Sequence, residues 1–382
     1  MKSVTKPTLL ALAVSVLGMS AFAQNNQQVD YENLFFECAS ITNDASRLAC
    51  FDEVAQGGSP SIIKEKQPLH LSQTVVSTLK GNPQIVMAED VPAQSFENLS
   101  HQSSSGEKYT PLSLAYDLDK NSDVGMWHAR PHNPMYILPL FLNTKANRHP
   151  STPNQPVKDY PSDEMRNTEL KFQVSFKSKV AEDLFGTNAD LWVGYTQQSH
   201  WQVYNENHSR PFRAHDYQPE IFITQPVKAD LPLGGKLRML GAGLVHHSNG
   251  EDDPLSRSWN RAYAMAGMEW GNLTVMPRLW GRIAKSSDSS KPDDNPDILD
   301  YYGYGDIKLL YQLERGSNVS STVRYNPKSG KGALQLDYVH PIGKGVSGYV
   351  QLFQGYGQSI VDYNHESTAI GVGIMLNDWM GL

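Results

Sequence analysis

The sequence predicts an all-β protein, a twelve-stranded antiparallel transmembrane β-barrel with an N-terminal periplasmic extension. Three observations predict it. Segments of about ten residues alternate apolar and polar side chains, which is the length and period of a tilted membrane strand. Their connections alternate between tight turns and long polar loops. The first residues read as an export signal.

The signal spans residues 1–23. Lys2 and Lys6 give a positive start, Leu9 to Leu17 are mostly apolar, and Ala21-Phe22-Ala23 fits the small-x-small cleavage pattern. That apolar run is short of the roughly 20 residues of a spanning helix, and no longer one follows, so a helical membrane protein is not expected. Residues 24–125 form the expected periplasmic extension. Tyr31 to Asp52 looks like a short helical pair, and the Ser-, Gln-, Pro- and Asn-rich stretch 56–108 shows no period. Cys38 and Cys50, the only cysteines, are expected to pair as a disulfide in an exported chain. A formal net charge of -7 carries no nucleic-acid footprint, so no nucleic-acid partner is expected.

The barrel domain is assigned to 126–382. Strands are expected to start near 133, 169, 191, 217, 237, 259, 273, 304, 317, 333, 346 and 368. Leu170, Phe172, Val174 and Phe176 alternate with Lys171, Gln173, Ser175 and Lys177, and later segments follow the same rule. Gly271-Asn272 and Gly316-Ser317 are tight turns, whereas 144–168, 204–216, 285–303 and 356–367 are long and polar. Short turns on one rim and long loops on the other place both termini in the periplasm. Lys171, Arg261, Glu269, Arg278 and Lys308 fall on inward rows, where a barrel lumen lets charges pair. A soluble β-sandwich also alternates, but it would turn such rows outward.

Chemistry concentrates in His246-His247-Ser248-Asn249-Gly250 and Ser256-Arg257-Ser258-Trp259-Asn260-Arg261. His246 and Ser248 share one face of a strand, because side chains alternate. A hairpin centred near Asp253 puts Asn260 opposite His246, with Cβ atoms about 5 Å apart. Hydroxyl, imidazole and amide then stand as nucleophile, base and orienter. Their row continues through Leu240, Ala242 and Leu244, and through Ala262, Ala264 and Ala266, so it faces lipid near the long-loop rim. A nucleophile there meets membrane lipid or a partner barrel. Singly, a serine, a rim histidine and an Asn-Gly turn are ordinary; together on a lipid-facing patch they are costly without a role. His247 points to the other face and reads as structural.

These residues resemble the outer membrane phospholipase A family of Gram-negative bacteria. Further similar segments are Tyr195-Thr196-Gln197, Pro211-Phe212-Arg213, Asp294-Asn295-Pro296-Asp297, Tyr301-Tyr302-Gly303-Tyr304-Gly305 and Met375-Leu376-Asn377-Asp378, so the resemblance covers about residues 130–382. It implies a calcium-dependent acyl hydrolase of phospholipids and lysophospholipids, with phospholipase A1 and A2 activity. It also implies a monomer at rest and a homodimer when active, with the site toward the outer leaflet. Ser248 would be the nucleophile, His246 the general base, Asn260 its orienter and the Gly250 N–H an oxyanion donor. The Ser256 hydroxyl and the carbonyl of Glu251 would bind calcium together with the Ser209 carbonyl of the partner copy. Asp294 matches a monomer calcium site. Glu251 departs from the family pattern, in which a basic residue is common, but a backbone ligand tolerates the change. Gln197 would lie at the dimer contact. The alternative reading is a non-catalytic outer-membrane channel or structural barrel.

Overall fold

A computed structural model describes residues 51, 69–70, 110–118, 126–284, 292–343 and 346–377. Contacts divide the chain into Met1–Ile62 and Ile63–Leu382, and the second unit holds every strand discussed below. The signal, the Cys38 and Cys50 pairing and most of the extension lie outside the described residues.

Twelve long strands form the wall: β1 Met135–Asn143, β2 Thr168–Leu184, β3 Ala189–Trp201, β4 Phe212–Leu231, β5 Gly235–Ser248, β6 Ser258–Trp270, β7 Leu273–Ile283, β8 Gly305–Gln312, β9 Asn318–Asn326, β10 Lys331–Gly343, β11 Val346–Tyr356 and β12 Glu366–Asn377. Each pairs antiparallel with the next, and β12 returns to β1 to close the barrel. Closure removes the open edges that hydrocarbon could not solvate. Two-residue stretches, Leu69–His70 and Arg130–Pro131, pair with β4 and β2.

Eleven strand starts fall within two residues of the expected positions. The exception is β4, which begins at Phe212 and not near 217. Its polar opening hides the strand, yet β3 supplies partners there, with Trp201 opposite Phe212 and Ser199 opposite His215. The inward Arg213 is satisfied by Glu169 at 2.8 Å, so a charged residue fits a strand.

The two faces divide by polarity. Outside, Leu140, Phe176, Ile221, Leu244 and Leu279 are exposed. Inside, aromatic groups such as Trp192, Phe222, Tyr263 and Trp280 pack with buried ions. Arg278 meets Asp306 at 2.7 Å, Lys171 donates to Gln351 at 2.7 Å, and Arg238 reaches Glu269 at 2.8 Å. Lys308 donates to the side chain of Asn133 at 2.7 Å. Buried charges need such partners. The space left in the lumen is a cavity of about 190 Å³, lined by Asp216, Glu220, Arg261 and Lys308 among others.

A short helix, α1 (Pro111–Tyr116), packs inside the barrel. Thr110 caps it, and Pro111 occupies a first-turn position where a missing N–H costs nothing. Leu112, Ala115 and Tyr116 are buried. Lys177 sits 3.8 Å from the centre of the Tyr116 ring, Arg238 donates to Ser113 at 3.0 Å, and Lys179 pairs with Asp117 at 2.8 Å. A Cβ at Gly267 would meet the Leu112 side chain at 3.1 Å, so the strand accommodates the helix by lacking one. Glu269, Arg238 and Lys179 all lie toward the short-turn end of their strands, so α1 fills that end of the lumen.

Candidate active site

The hairpin of β5 and β6 positions the site. Register pairs His246 with Asn260, and both side chains are exposed on the outer face. His246 Nδ1 and Asn260 Oδ1 are 2.7 Å apart. An amide oxygen only accepts, so Nδ1 carries the hydrogen and Nε2 presents its lone pair. Ser248 lies two residues along the same face, half-buried, opposite Ser258 on β6 and Tyr217 on β4. Among the described residues no hydrogen bond joins Ser248 to His246. Val245, His247, Trp259 and Arg261, on the alternate row, are buried in the lumen. There His247 accepts from Trp259 Nε1 at 3.3 Å and faces Asp216 at 3.3 Å, so it is held as part of the wall.

The connection 249–257 is rigidified by Asn249, a residue that sequence reading took for a turn former only. Its Oδ1 accepts from Arg257 N at 2.9 Å, and its Nδ2 donates to the Leu255 carbonyl at 2.7 Å. Arg257 is fully buried and donates to the carbonyls of Pro254 and Ser256 at 2.9 and 2.8 Å. Burial pushes its guanidinium below the usual arginine range. Between these anchors Gly250 adopts φ +68°. A Cβ there would sit 3.2 Å from the Tyr217 ring, so both conformation and space call for glycine. Among the described residues the Gly250 N–H has no hydrogen-bond acceptor.

Oxygen donors gather beside this loop. Ser256 Oγ donates to Asp294 Oδ2 at 3.0 Å, and Ser258 Oγ lies 3.4 Å from the same oxygen. The fully buried Asn295 accepts from Ser258 N at 3.0 Å, which ties the 292–304 segment to β6. Glu251 is exposed at the tip. Hydroxyl, carboxylate and carbonyl oxygens suit a hard divalent cation. Among the described residues no cluster of three or more His, Cys, Asp or Glu side chains is arranged for a metal. Ser209 stands apart, in the connection between β3 and β4, with a left-handed φ of 58°.

Gln197 faces outward on β3, in the row of Val193 and Tyr195, while Trp192 and Thr196 are buried inside. Its Oε1 accepts from the Tyr195 hydroxyl at 3.0 Å, and its Nε2 donates to Ser199 Oγ at 3.3 Å. Ser199 Oγ meets His215 Nδ1 at 2.9 Å, and His215 stacks against Tyr217, the cross-strand neighbour of Ser248. A polar chain thus runs along the outer face from Gln197 to the hairpin. Ser199 was legible as the next alternate residue after Gln197. His215 was not, because it fell in an expected loop.

Known proteins resemble this chain in sequence and fold. Residues 112–376 match the family described as Phospholipase A1. A Neisseria meningitidis serogroup B protein carrying a phospholipase A1 name is 51% identical over 354 residues, covering 91% of each chain. Phospholipase A1 of Escherichia coli K12 is 37% identical over 249 residues, covering 64% of this chain and 83% of that one. The outer membrane phospholipase of Salmonella typhi, solved as a dimer with bound calcium, superposes with a TM-score of 0.62 at 33% identity, over 71% of this chain and 100% of that one. An Escherichia coli outer membrane phospholipase A structure, solved with an active-site asparagine replaced by alanine, has a TM-score of 0.61 at 32% identity, over 70% and 98%. With the family matched over most of its length and the barrel shared, the chain belongs to the phospholipase A1 family of outer-membrane β-barrels.

Proposed function

We propose that Ser248, His246 and Asn260 form a Ser-His-Asn triad that hydrolyses acyl esters of phospholipids and lysophospholipids at both glycerol acyl positions. The observation that carries this is the 2.7 Å pairing of His246 Nδ1 with Asn260 Oδ1 on the outer face, beside Ser248. Asn260 holds Nδ1–H, so Nε2 takes the Ser248 proton as Oγ attacks the ester carbonyl carbon. The imidazolium then protonates the departing glycerol oxygen, leaving an acyl-serine. Water attacks with the same base, and the fatty acid leaves. Hydrogen bonds between nucleophile and base commonly tighten only with substrate in place. The active-site asparagine of the Escherichia coli relative supports the role given to Asn260.

Asn260 is neutral and lends the imidazolium no negative charge, so the oxyanion donors weigh more. The Gly250 N–H, unused in the turn, is one. Calcium, when bound, supplies positive charge that favours the developing oxyanion. The Ser256 hydroxyl and Glu251 carbonyl would hold it, with the Ser209 carbonyl supplied by a second copy. Asp294 would hold it in the monomer, and the Ser256 bond to Asp294 means both arrangements draw on one hydroxyl. The calcium-bound dimer of the Salmonella typhi relative supports this reading. The triad lies at the long-loop rim, which in outer-membrane barrels faces outward from the cell. It then meets outer-leaflet lipid, with both termini periplasmic.

Fatty-acid release from phosphatidylcholine–detergent micelles tests the proposal. Ser248→Ala is expected to lose about 10³-fold or more in rate with unchanged folding. A calcium chelator is expected to silence the wild type. Equal release by Ser248→Ala would overturn the triad, and activity surviving chelation would overturn the metal.

A further inference from the structure

We propose that a cleft at the long-loop rim, above β1 and β2, binds the phosphate group of a membrane lipid through Arg148 and Arg166, apart from the hydrolytic site. The cleft begins with a break in register. Leu138 pairs with Lys171 and Phe141 with Glu169, so Pro139 and Leu140 fall out of the β1–β2 ladder. Proline brings no N–H to that ladder. The Pro139 carbonyl is taken instead by the Tyr204 hydroxyl at 2.6 Å, which brings the β3–β4 connection over the gap. The result is an open cleft of about 560 Å³ walled by Leu140, Tyr204, Arg148, Arg166, Asn167 and Ser162.

The charge in this cleft is one-sided. Two guanidinium groups line it, and no carboxylate does. Three other arginines of the rim have acidic partners, Arg213 with Glu169 and Asp362, Arg282 with Asp293, and Arg210 with Glu206, while the buried Arg257 is held by the carbonyls of Pro254 and Ser256. Among the described residues neither Arg148 nor Arg166 has one. Arg148 is steadied by donating from Nη2 to the Met165 carbonyl at 3.3 Å, while its Nε is buried without an acceptor. Arg166 is exposed, but its backbone is clamped by Gln202, which accepts from its N–H at 2.8 Å and donates to its carbonyl at 3.1 Å. Two guanidinium groups without counter-ions, one held through Arg148 Nη2 and one carried on the clamped backbone of Arg166, fit the oxygens of a phosphate.

The apolar side of the cleft selects the rest of the ligand. Leu140 is 55% exposed and Tyr204 46%, and both continue the outward apolar band of Leu142 and Val372. A tyrosine at this height suits the interface between headgroups and chains. A phosphate carried on acyl or alkyl chains satisfies both halves, whereas inorganic phosphate satisfies one. The lining holds the hydroxyls of Ser162 and Thr168 but no histidine, so the bound lipid is retained and not cleaved there.

The test uses the full chain in nonionic detergent and a dialkyl-ether phosphatidic acid, which the hydrolase cannot cleave. Binding is read by native mass spectrometry. The double variant Arg148→Gln/Arg166→Gln is expected to weaken binding about tenfold or more, with ester hydrolysis kept within about twofold. Excess inorganic phosphate is expected not to displace the lipid, and a dialkylglycerol lacking phosphate is expected not to bind. Equal binding by the double variant, or equal binding of the dialkylglycerol, would overturn the site. Full displacement by inorganic phosphate would overturn the lipid as its occupant. If the double variant fails to fold, Arg166→Gln alone decides, since that side chain makes no hydrogen bond among the described residues. A loss of about threefold or more supports the site, and unchanged affinity overturns it.

Discussion

The lumen and the outer face of this barrel treat polar groups in opposite ways. Inside, charge is abundant and paired: Glu169 accepts from Arg213 and faces His200 Nδ1 at 2.6 Å, and Arg278 faces Asp306. Outside, the described wall is mostly apolar, but one polar patch runs through Gln197, Ser199, His215, Tyr217, Ser248, His246 and Asn260, and a smaller one joins Gln354, Glu366 and Thr368. Polar residues within the lumen hold the wall together. Polar residues on the outer face have no such duty, and in hydrocarbon they are expensive. The same residue type therefore carries different information on each face, as His247 and His246 do on adjacent positions. A channel reading fares badly by the same comparison, because ion pairs, aromatic rings and α1 occupy the passage that a pore would leave open.

The comparison breaks if substitutions on the two faces have the same consequence. The largest separation is expected between Ser248→Ala and Arg213→Met. The first removes activity and leaves stability alone. The second strands Glu169 in the lumen beside His200, and breaking a buried pair in this way costs about 3–5 kcal/mol. Urea unfolding in micelles should show the midpoint of Arg213→Met well below wild type, with activity per folded molecule retained. A stable Arg213→Met barrel would mean that the lumen network is slack.

Asn260→Ala sharpens the contrast at the next scale. The side chain is exposed and, among the described residues, its one side-chain hydrogen bond is with His246, so the unfolding midpoint should not move. Without it the imidazole loses both tautomer and orientation. Rate should fall roughly 10- to 100-fold, about 1.4–2.7 kcal/mol in barrier. A drop in stability with intact rate would place Asn260 with the wall residues.

Most of the barrel was legible because its period is a direct consequence of strand geometry in lipid. Eleven strand starts follow from alternation alone, and so does the opposition of His246 and Asn260. What escaped had its cause elsewhere in the chain. The start of β4 is polar because Arg213 finds Glu169, forty-four residues earlier in sequence. Asn249 read as a turn residue and Asn295 as part of a long polar loop, and only the fold shows each holding a backbone N–H of the β6 entry. The helix α1 is six residues long, too short for an amphipathic period to show, and only the fold sets Leu112, Ala115 and Tyr116 in the core cluster with residues of the inner wall. The Arg148 and Arg166 cleft depends on a ladder break that no period announces. Local rules located the row of His246, Ser248 and Asn260; long-range pairing decided what supports it.

Gln197→Ala is the smallest and most discriminating change. Its amide is held by Tyr195 and Ser199 within the chain, so its loss should cost the isolated barrel little. A second copy docking on this face would gain or lose one polar contact in hydrocarbon, where such contacts are worth about 0.6–2 kcal/mol. Dimerisation measured by sedimentation in detergent with calcium should weaken by about fivefold, close to 1 kcal/mol. Activity should fall at low protein concentration and recover as concentration rises, because Ser248, His246 and Asn260 are untouched. A shifted unfolding midpoint with an unchanged monomer–dimer constant would assign Gln197 to the wall, and the outer polar patch would then end at His215.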